Sequence, residues 1–250
     1  MNIYMLVEGR RTEMAVYPAW ITHLLPFMKQ VEHPFEAWED NLYIVSGFGY
    51  PNILHHIENC VKDVNKYRRF DYLVICLDSD DREVRDRIME IETILQEEHL
   101  WPKKARIQVF VQKKCIETWF LGSDLNLRGR MTQRLQYYMD HYNVFYDDPE
   151  EMDKPEDYRG SVGDFHCGYL CRLLEANGSY YAKRKPGVVL EGEYVDSLRR
   201  RTDSTPHLAT LKNFFEFCDM LRQEHEEKVY IRDTLAEEQV LCTIAEQKET

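Results

Sequence analysis

The sequence lacks the segments that mark membrane and secreted proteins. Its 250 residues contain no apolar run near the roughly 20 residues that a helix needs to cross a bilayer. The opening stretch, MNIYMLVEG, has no basic segment ahead of its apolar residues, so we expect no secretory signal there. The seven cysteines are odd in number and follow no disulfide framework, which predicts reduced thiols and a cytoplasmic protein with no membrane partner.

An excess of positive charge is also absent. The chain has 32 Lys and Arg against 44 Asp and Glu, a formal net charge of −12. Non-specific coating of nucleic acid depends on Lys and Arg neutralising phosphates, and this balance excludes such a role. A nucleic acid would have to be bound locally, by clustered basic residues or through metal ions. In other respects the composition is that of a globular protein that buries a sizeable core, with 44% apolar and 30% charged residues.

The first half of the chain contains a regular alternation of strand and helix patterns. Apolar runs typical of buried strands alternate with stretches whose apolar residues recur at helical spacing. This rhythm predicts an α/β fold with a mostly parallel, Rossmann-like sheet flanked by helices. The predicted strands are residues 3–7, 41–47, 70–81 and 106–111, and the predicted helices between them are residues 12–27, 51–64 and 82–100.

The second half of the chain has a different character. Its acidic segment DDPEEMDKPED contains two prolines and predicts a loop or insertion. We expect two regions, an α/β domain of residues 1–124 and a mainly helical extension of residues 125–250 that packs on or beside it. The predicted helices of the extension are residues 167–176, 194–201 and 208–227, with a final helix in the last 20 residues.

Four carboxylates are expected to meet at one edge of the predicted sheet. Glu8 follows the first predicted strand, and Asp78 and Asp80 close the third. In the common 2-1-3-4 strand order the first and third strands are neighbours, and functional groups gather beyond their carboxyl ends. Alternation along extended backbone would point Asp78 and Asp80 to one side. Glu117, shortly after the fourth strand, would join them.

Such a cluster predicts a divalent metal ion. Carboxylates brought together repel each other, and the pKa of each is raised unless a cation is present. Hard oxygen ligands favour Mg²⁺ or Mn²⁺, which neutralise phosphate charge and help to generate hydroxide. The pattern therefore indicates chemistry on phosphodiester bonds.

Two motifs in this order resemble those of the Toprim fold, which has Glu-Gly after its first strand and Asp-x-Asp after its third. Here they are VEGRRTE and VICLDSDD, with Glu8 and Asp78 roughly 70 residues apart. Together with IETWFL at residues 116–121, they look like the Toprim nucleases of the overcoming-lysogenization-defect group and the RloB-like proteins. The resemblance covers residues 1–121 and continues weakly through YAKRKPGVV and HLATLKNFFEFC.

The resemblance implies a Mg²⁺-dependent nuclease acting on DNA or structured RNA. It further implies an effector of anti-phage defence that is controlled by a partner ATPase and is able to form a homodimer. Glu8 would be a metal ligand or the acid/base residue, Asp78 and Asp80 would hold Mg²⁺ or Mn²⁺, and Glu117 would complete the second-metal side. Lys183 or Lys185 would stabilise the pentacovalent phosphate.

Other interpretations remain open for the chain and for single residues. The protein could act mainly through protein association without catalysis. An aspartyl-phosphate phosphatase also uses Asp-x-Asp, but on its first strand, and ranks low. Glu117 could be a solvated acid beside buried Trp119, and residues 183–185 a solvated basic turn. HCGYLC at residues 166–171 invites a zinc interpretation but lacks a second ligand pair, so helix packing is expected.

Overall fold

The computed structural model of the chain describes residues 1–124 and 131–248, with side chains described as far as residue 235. It confirms the α/β fold. The strands are β1 (Asn2–Val7), β2 (Lys29–Val31), β3 (Asn41–Ser46), β4 (Tyr72–Asp78) and β5 (Arg106–Gln112). The helices are α1 (Thr12–Leu24), α2 (Asn52–Tyr67), α3 (Val84–Glu97), α4 (Ile116–Phe120), α5 (Gln133–His141), α6 (Val162–Ala176), α7 (Gly192–Ser204) and α8 (Ala209–Lys248).

The five strands form one parallel sheet in the order β2-β3-β1-β4-β5. The predicted order of the four longer strands is confirmed, because β1 lies between β3 and β4. Val7 at the end of β1 is opposite Ser46 on one side and Cys76 on the other. The edge strand β2 was not predicted, since three residues are too short to show a periodic pattern.

Alternating side chains of the strands pack into two separate hydrophobic cores, one on each face of the sheet. Ile3, Met5 and Val7 of β1 face the core that is closed by α1 and the later helices. Tyr4 and Leu6 of the same strand face the core that is closed by α2 and α3. This period of two is expected where both faces of a parallel sheet are covered. Each fully buried large side chain contributes about 1.5–3 kcal/mol.

The helical extension shares its core with the α/β region. Trp20 of α1, Trp119 of α4 and Phe214 of α8 belong to one cluster of buried side chains. The indole of Trp20 stacks on that of Trp119 with ring centroids 6.5 Å apart, and its Nε1 donates to the backbone oxygen of Val189 at 2.7 Å. The C-terminal helices therefore cover one face of the sheet directly.

One sequence prediction for the extension needs correction, and one helix is added. Residues 208–227 and the last 20 residues were expected to form separate helices, but α8 runs without a break from Ala209 to Lys248. The polar stretch before the acidic segment contains α5, whose Thr132 accepts a hydrogen bond from the amide of Leu135 at 3.2 Å and so caps the helix. Among the helices the structure describes, none combines the length and apolar character needed to cross a membrane.

Candidate functional site

Glu8 lies where β1 ends, at the carboxyl edge of the sheet. One carboxylate oxygen, Oε1, accepts the backbone N–H of Tyr50 at 3.1 Å, and the other, Oε2, accepts that of Asp78 at 3.1 Å. Its own amide donates to the carbonyl of Cys76 at 3.0 Å. Burial raises the pKa of Glu8, although the two backbone donors act in the opposite direction. The loop after β3 and the last residue of β4 therefore orient this carboxylate through their backbone N–H groups.

Glu13, in the first turn of α1, was not selected from the sequence. Its side chain is buried and accepts the amide of Gly9 at 2.9 Å. A Cβ at position 9 would lie 2.1 Å from a Glu13 oxygen, so glycine is required for this fold-back. Burial raises the pKa of Glu13, and the charges of Glu117 and Glu8 raise it further. The sequence signal for this residue is its position in VEGRRTE, where Glu13 follows Gly9 by about one helical turn.

Asp78 closes β4 and lies among the other acids. Its carboxylate makes no hydrogen bond or ion pair with any residue that the structure describes. The pKa of Asp78 is raised well above its usual value, first by burial and then by the charges of Glu13, Glu8, Glu117 and Asp80. Four carboxylates from β1, α1, β4 and α4 thus share one edge of the sheet. We call Glu8, Glu13, Asp78 and Glu117 the carboxylate cluster.

Glu117 is not the solvated acid that one interpretation of the sequence suggested. It lies in the first turn of α4 and is 1% exposed. The hydroxyl of Tyr181 donates to its Oε1 at 2.8 Å, and the ammonium of Lys183 lies 3.6 Å from the same oxygen. Tyr181 and Lys183 come from the helical extension, so this part of the site combines the two regions of the chain.

Asp80 differs from the members of the carboxylate cluster. β4 ends at Asp78, and Asp80 has a left-handed backbone with φ of 52°, so the alternation of a strand does not extend to it. Its side chain is 55% exposed and pairs with Arg87 at 3.3 Å. Burial raises the pKa of Asp80 while Arg87 opposes the shift. Arg87 itself is buried, stacks over the ring of Tyr50 at 3.7 Å and donates to Glu90 at 3.0 Å.

Of the two predicted lysines, the structure places one beside the carboxylate cluster. The hydroxyl of Thr12, the first residue of α1, donates to the carbonyl of Lys183 at 3.2 Å. This bond ties the turn of residues 182–185 to the start of α1. Burial acts to lower the pKa of Lys183, but Glu117 and other nearby groups raise it overall. The side chain of Lys185 is exposed and contacts none of the described acids.

The chemistry of this donor set fits a hard divalent cation. Within residues 1–124 and 131–235, no three His, Cys, Asp or Glu side chains form a group that could hold a metal ion as they stand. The oxygens are nevertheless carboxylates, and burial together with nearby acidic charges raises the pKa of Glu8, Glu13 and Asp78. Asp78 has no partner among the described residues. Gln112, opposite Asp78 in β5, also keeps a buried Oε1 without a hydrogen bond in the described part of the chain. A cation would relieve this repulsion.

The zinc interpretation of residues 166–171 is not supported. The ring of His166 is fully buried, and both nitrogens are engaged, Nδ1 with the hydroxyl of Thr118 at 2.7 Å and Nε2 with the carbonyl of Met152 at 3.1 Å. Burial lowers the pKa of His166 to about 4, so the ring is neutral. His166 is a core residue, as expected from the sequence.

No family model, curated protein or solved structure matches this chain.

Proposed function

We propose that the chain is a Toprim-type, divalent-metal-dependent nuclease that hydrolyses phosphodiester bonds in DNA or structured RNA. The observation that carries the proposal is the carboxylate cluster itself. Four acids from β1, α1, β4 and α4 meet at the carboxyl edge of a parallel sheet, and Asp78 among them has no partner in the described part of the chain. The order of the Glu-Gly and Asp-x-Asp motifs supports the same interpretation.

Mg²⁺ or Mn²⁺ would be held by Glu8 and Asp78, with Asp80 and Glu117 as the further predicted ligands and Glu13 added by the geometry. A bound cation of this kind supplies charge neutralisation for the phosphate and lowers the pKa of a water molecule. Burial raises the pKa of Glu8, which is the direction that suits an acid/base residue. The amides of Tyr50 and Asp78 keep its carboxylate oriented.

Lys183 would stabilise negative charge on the phosphate. Its ammonium is already at the carboxylate cluster through Glu117. In hydrolysis, water adds to phosphorus, one P–O bond breaks, and the leaving oxygen takes up a proton. Extra negative charge develops on the phosphate during this step, and a fixed cation beside it lowers the barrier.

Within this proposal the protein is a cytoplasmic effector of anti-phage defence that is regulated by a partner ATPase. A second candidate function, protein association without catalysis, is favoured by one observation. On α8, the side chains of Tyr230, Ile231 and Leu235 are 73%, 56% and 52% exposed, although apolar side chains are usually covered. Co-purification with a partner and no metal-dependent cleavage would favour this second function.

The nuclease proposal is tested by cleavage of mixed single- and double-stranded DNA and RNA with Mg²⁺, Mn²⁺ or EDTA. We expect cleavage only with metal, and a loss of about a hundredfold or more in Asp78→Asn and Glu8→Gln, since a metal contributes several kcal/mol to the transition state. Asp71→Asn is the matched control, because Asp71 lies at the opposite end of β4, where it accepts the amide of Asn2 at 2.8 Å. Equal cleavage by wild type and both site variants would refute the proposal.

A further inference from the structure

Phe48 is an exposed aromatic residue beside the carboxylate cluster. Its side chain is 49% exposed, and its backbone is left-handed with φ of 64°, which is uncommon for a bulky residue. The loop is held rigidly, because the amide of Phe48 donates to the hydroxyl of Ser46 at 3.0 Å and the amide of Gly49 donates to the carbonyl of Glu8 at 2.8 Å. Strain that the surroundings maintain in this way is typical of functional positions.

The loop also holds Phe48 close to Glu8 of the carboxylate cluster. Two residues later, the amide of Tyr50 binds the carboxylate of Glu8. The guanidinium of Arg10 lies over the Phe48 ring, 4.9 Å from its centroid, and the ring of His56 lies 5.4 Å away. An arginine stacked on an exposed aromatic ring therefore borders the carboxylate cluster.

Two basic segments of this acidic protein meet at the start of α1. Arg10 and Arg11 precede Thr12, whose hydroxyl donates to the carbonyl of Lys183. We call Arg10, Arg11, Lys183, Arg184 and Lys185 the basic rim. Four of its members, all except Lys183, form no ion pair with the described residues. Cations that border a group of acids and still lack an acidic partner are suited to the phosphates of a polyanion.

We propose that this surface binds an unpaired nucleotide, with its base stacked on Phe48 and its phosphates on the basic rim. The inference rests on the proposed function and narrows its substrate to single-stranded or locally unpaired nucleic acid. A base offers its face to an aromatic ring only when it is free of the duplex stack, and stacking of this kind tolerates any base. Arg10 adds a cationic surface over the same ring.

Binding is measured without cleavage, in EDTA and again with Ca²⁺, by anisotropy of a labelled single strand and of the corresponding duplex. Phe48→Asn removes the ring while keeping a residue that accepts a left-handed backbone. We expect it to weaken single-strand binding about tenfold or more, since stacking one base on an aromatic ring commonly contributes that much. Phe48→Tyr, which keeps the ring, should restore the affinity. Phe35→Ala is the matched control, because Phe35 is 55% exposed and lies in the turn of Pro34–Glu36.

The basic rim is tested by salt dependence. In Arg184→Gln the slope of log affinity against log salt for a single strand should fall by about 0.7, because one phosphate contact is lost. An abasic nucleotide in the single strand should reproduce the Phe48→Asn effect in wild-type protein.

The outcomes separate this inference from the nuclease proposal. Cleavage that needs Asp78, together with unchanged single-strand affinity in Phe48→Asn, leaves the nuclease proposal standing and overturns the stacking site. Duplex binding as tight as single-strand binding also overturns it. Weakened single-strand binding in Phe48→Asn, without metal-dependent cleavage by wild type, supports the stacking site and refutes the nuclease.

Discussion

Glu150 and Asp78 are two largely buried carboxylates with different surroundings. Glu150 accepts the backbone N–H of Thr210 at 3.1 Å and also its hydroxyl, and so caps the start of α8. Asp78 accepts no hydrogen bond from the described residues and has four further acids nearby. Burial raises the pKa of both groups. They differ in whether the fold supplies donors for their oxygens.

This difference separates a structural acid from a candidate metal ligand. A buried carboxylate whose lone pairs are filled by protein donors stabilises the elements that it joins. A carboxylate among other carboxylates destabilises the empty site and gains from a bound cation. Glu8 lies between these cases, because two amides orient its oxygens while it forms no ion pair with a described residue.

The largest expected effect is the loss of stability when Glu150, the structural acid of this comparison, is replaced. Glu150→Ala should lower the free energy of unfolding by about 2–4 kcal/mol, because α8 loses its cap and two donors of the half-buried Thr210 lose their acceptor. Urea denaturation measures the change. Glu151→Ala is the control, since Glu151 makes only an exposed ion pair with Lys113 and should change stability by less than about 1 kcal/mol. Equal losses in the two variants would contradict the assignment of Glu150.

The second largest expected effect is the stabilisation of the fold by Mg²⁺, which depends on Asp78. Mg²⁺ at about one hundred times its dissociation constant should stabilise the wild-type fold by about 2.7 kcal/mol, on the order of 5–10 °C in Tm. Asp78→Asn should lose most of this shift, because it removes the carboxylate without a partner. Glu150→Gln should retain it. Differential scanning fluorimetry with and without Mg²⁺ gives the comparison, and an equal shift in Asp78→Asn would place the cation elsewhere.

The smallest effect concerns Asp78 without metal. Asp78→Asn should be more stable than wild type at neutral pH by on the order of 1 kcal/mol, because the charge that the fold disfavours is gone. A carboxyl with a raised folded-state pKa loses stability as pH rises from about 4 through that pKa. The advantage of asparagine should therefore be absent below about pH 4 and largest above the folded pKa. Denaturation midpoints across pH in EDTA measure it, and a constant difference would contradict the raised pKa.

The strands and three acids of the carboxylate cluster were predictable because their signals are local. Continuous apolar runs identified four strands, and the carboxyl ends of β1, β4 and β5 placed Glu8, Asp78 and Glu117 at one edge. The prediction that strand alternation would point Asp80 to the same side as Asp78 was wrong, because the strand ends two residues before Asp80. Arg87 instead pairs with the exposed carboxylate of Asp80. The prediction of a separate helix at the C-terminus was wrong, because acidic and polar residues do not interrupt a helix.

Residues whose role depends on distant partners were harder to find. Glu13 has the pattern of an ordinary acid in a first helical turn, a position that the helix dipole favours by itself. Only Gly9, which leaves room for its carboxylate, and the nearby Glu117 distinguish it. Lys183 and Lys185 are equivalent in the sequence, and the bond from Thr12 to the turn decides which one reaches Glu117.

The sequence by itself determined the alternation of strands and helices and the order of Glu8 and Asp78 along the chain, because periodicity and strand ends are properties of neighbouring residues. Only the tertiary structure decided which acids meet, which of them lacks a partner, and that Phe48 and the basic rim lie beside them. Those facts depend on the packing of segments that are distant in the chain, such as Thr12 on Lys183, and local propensity carries no information about such contacts.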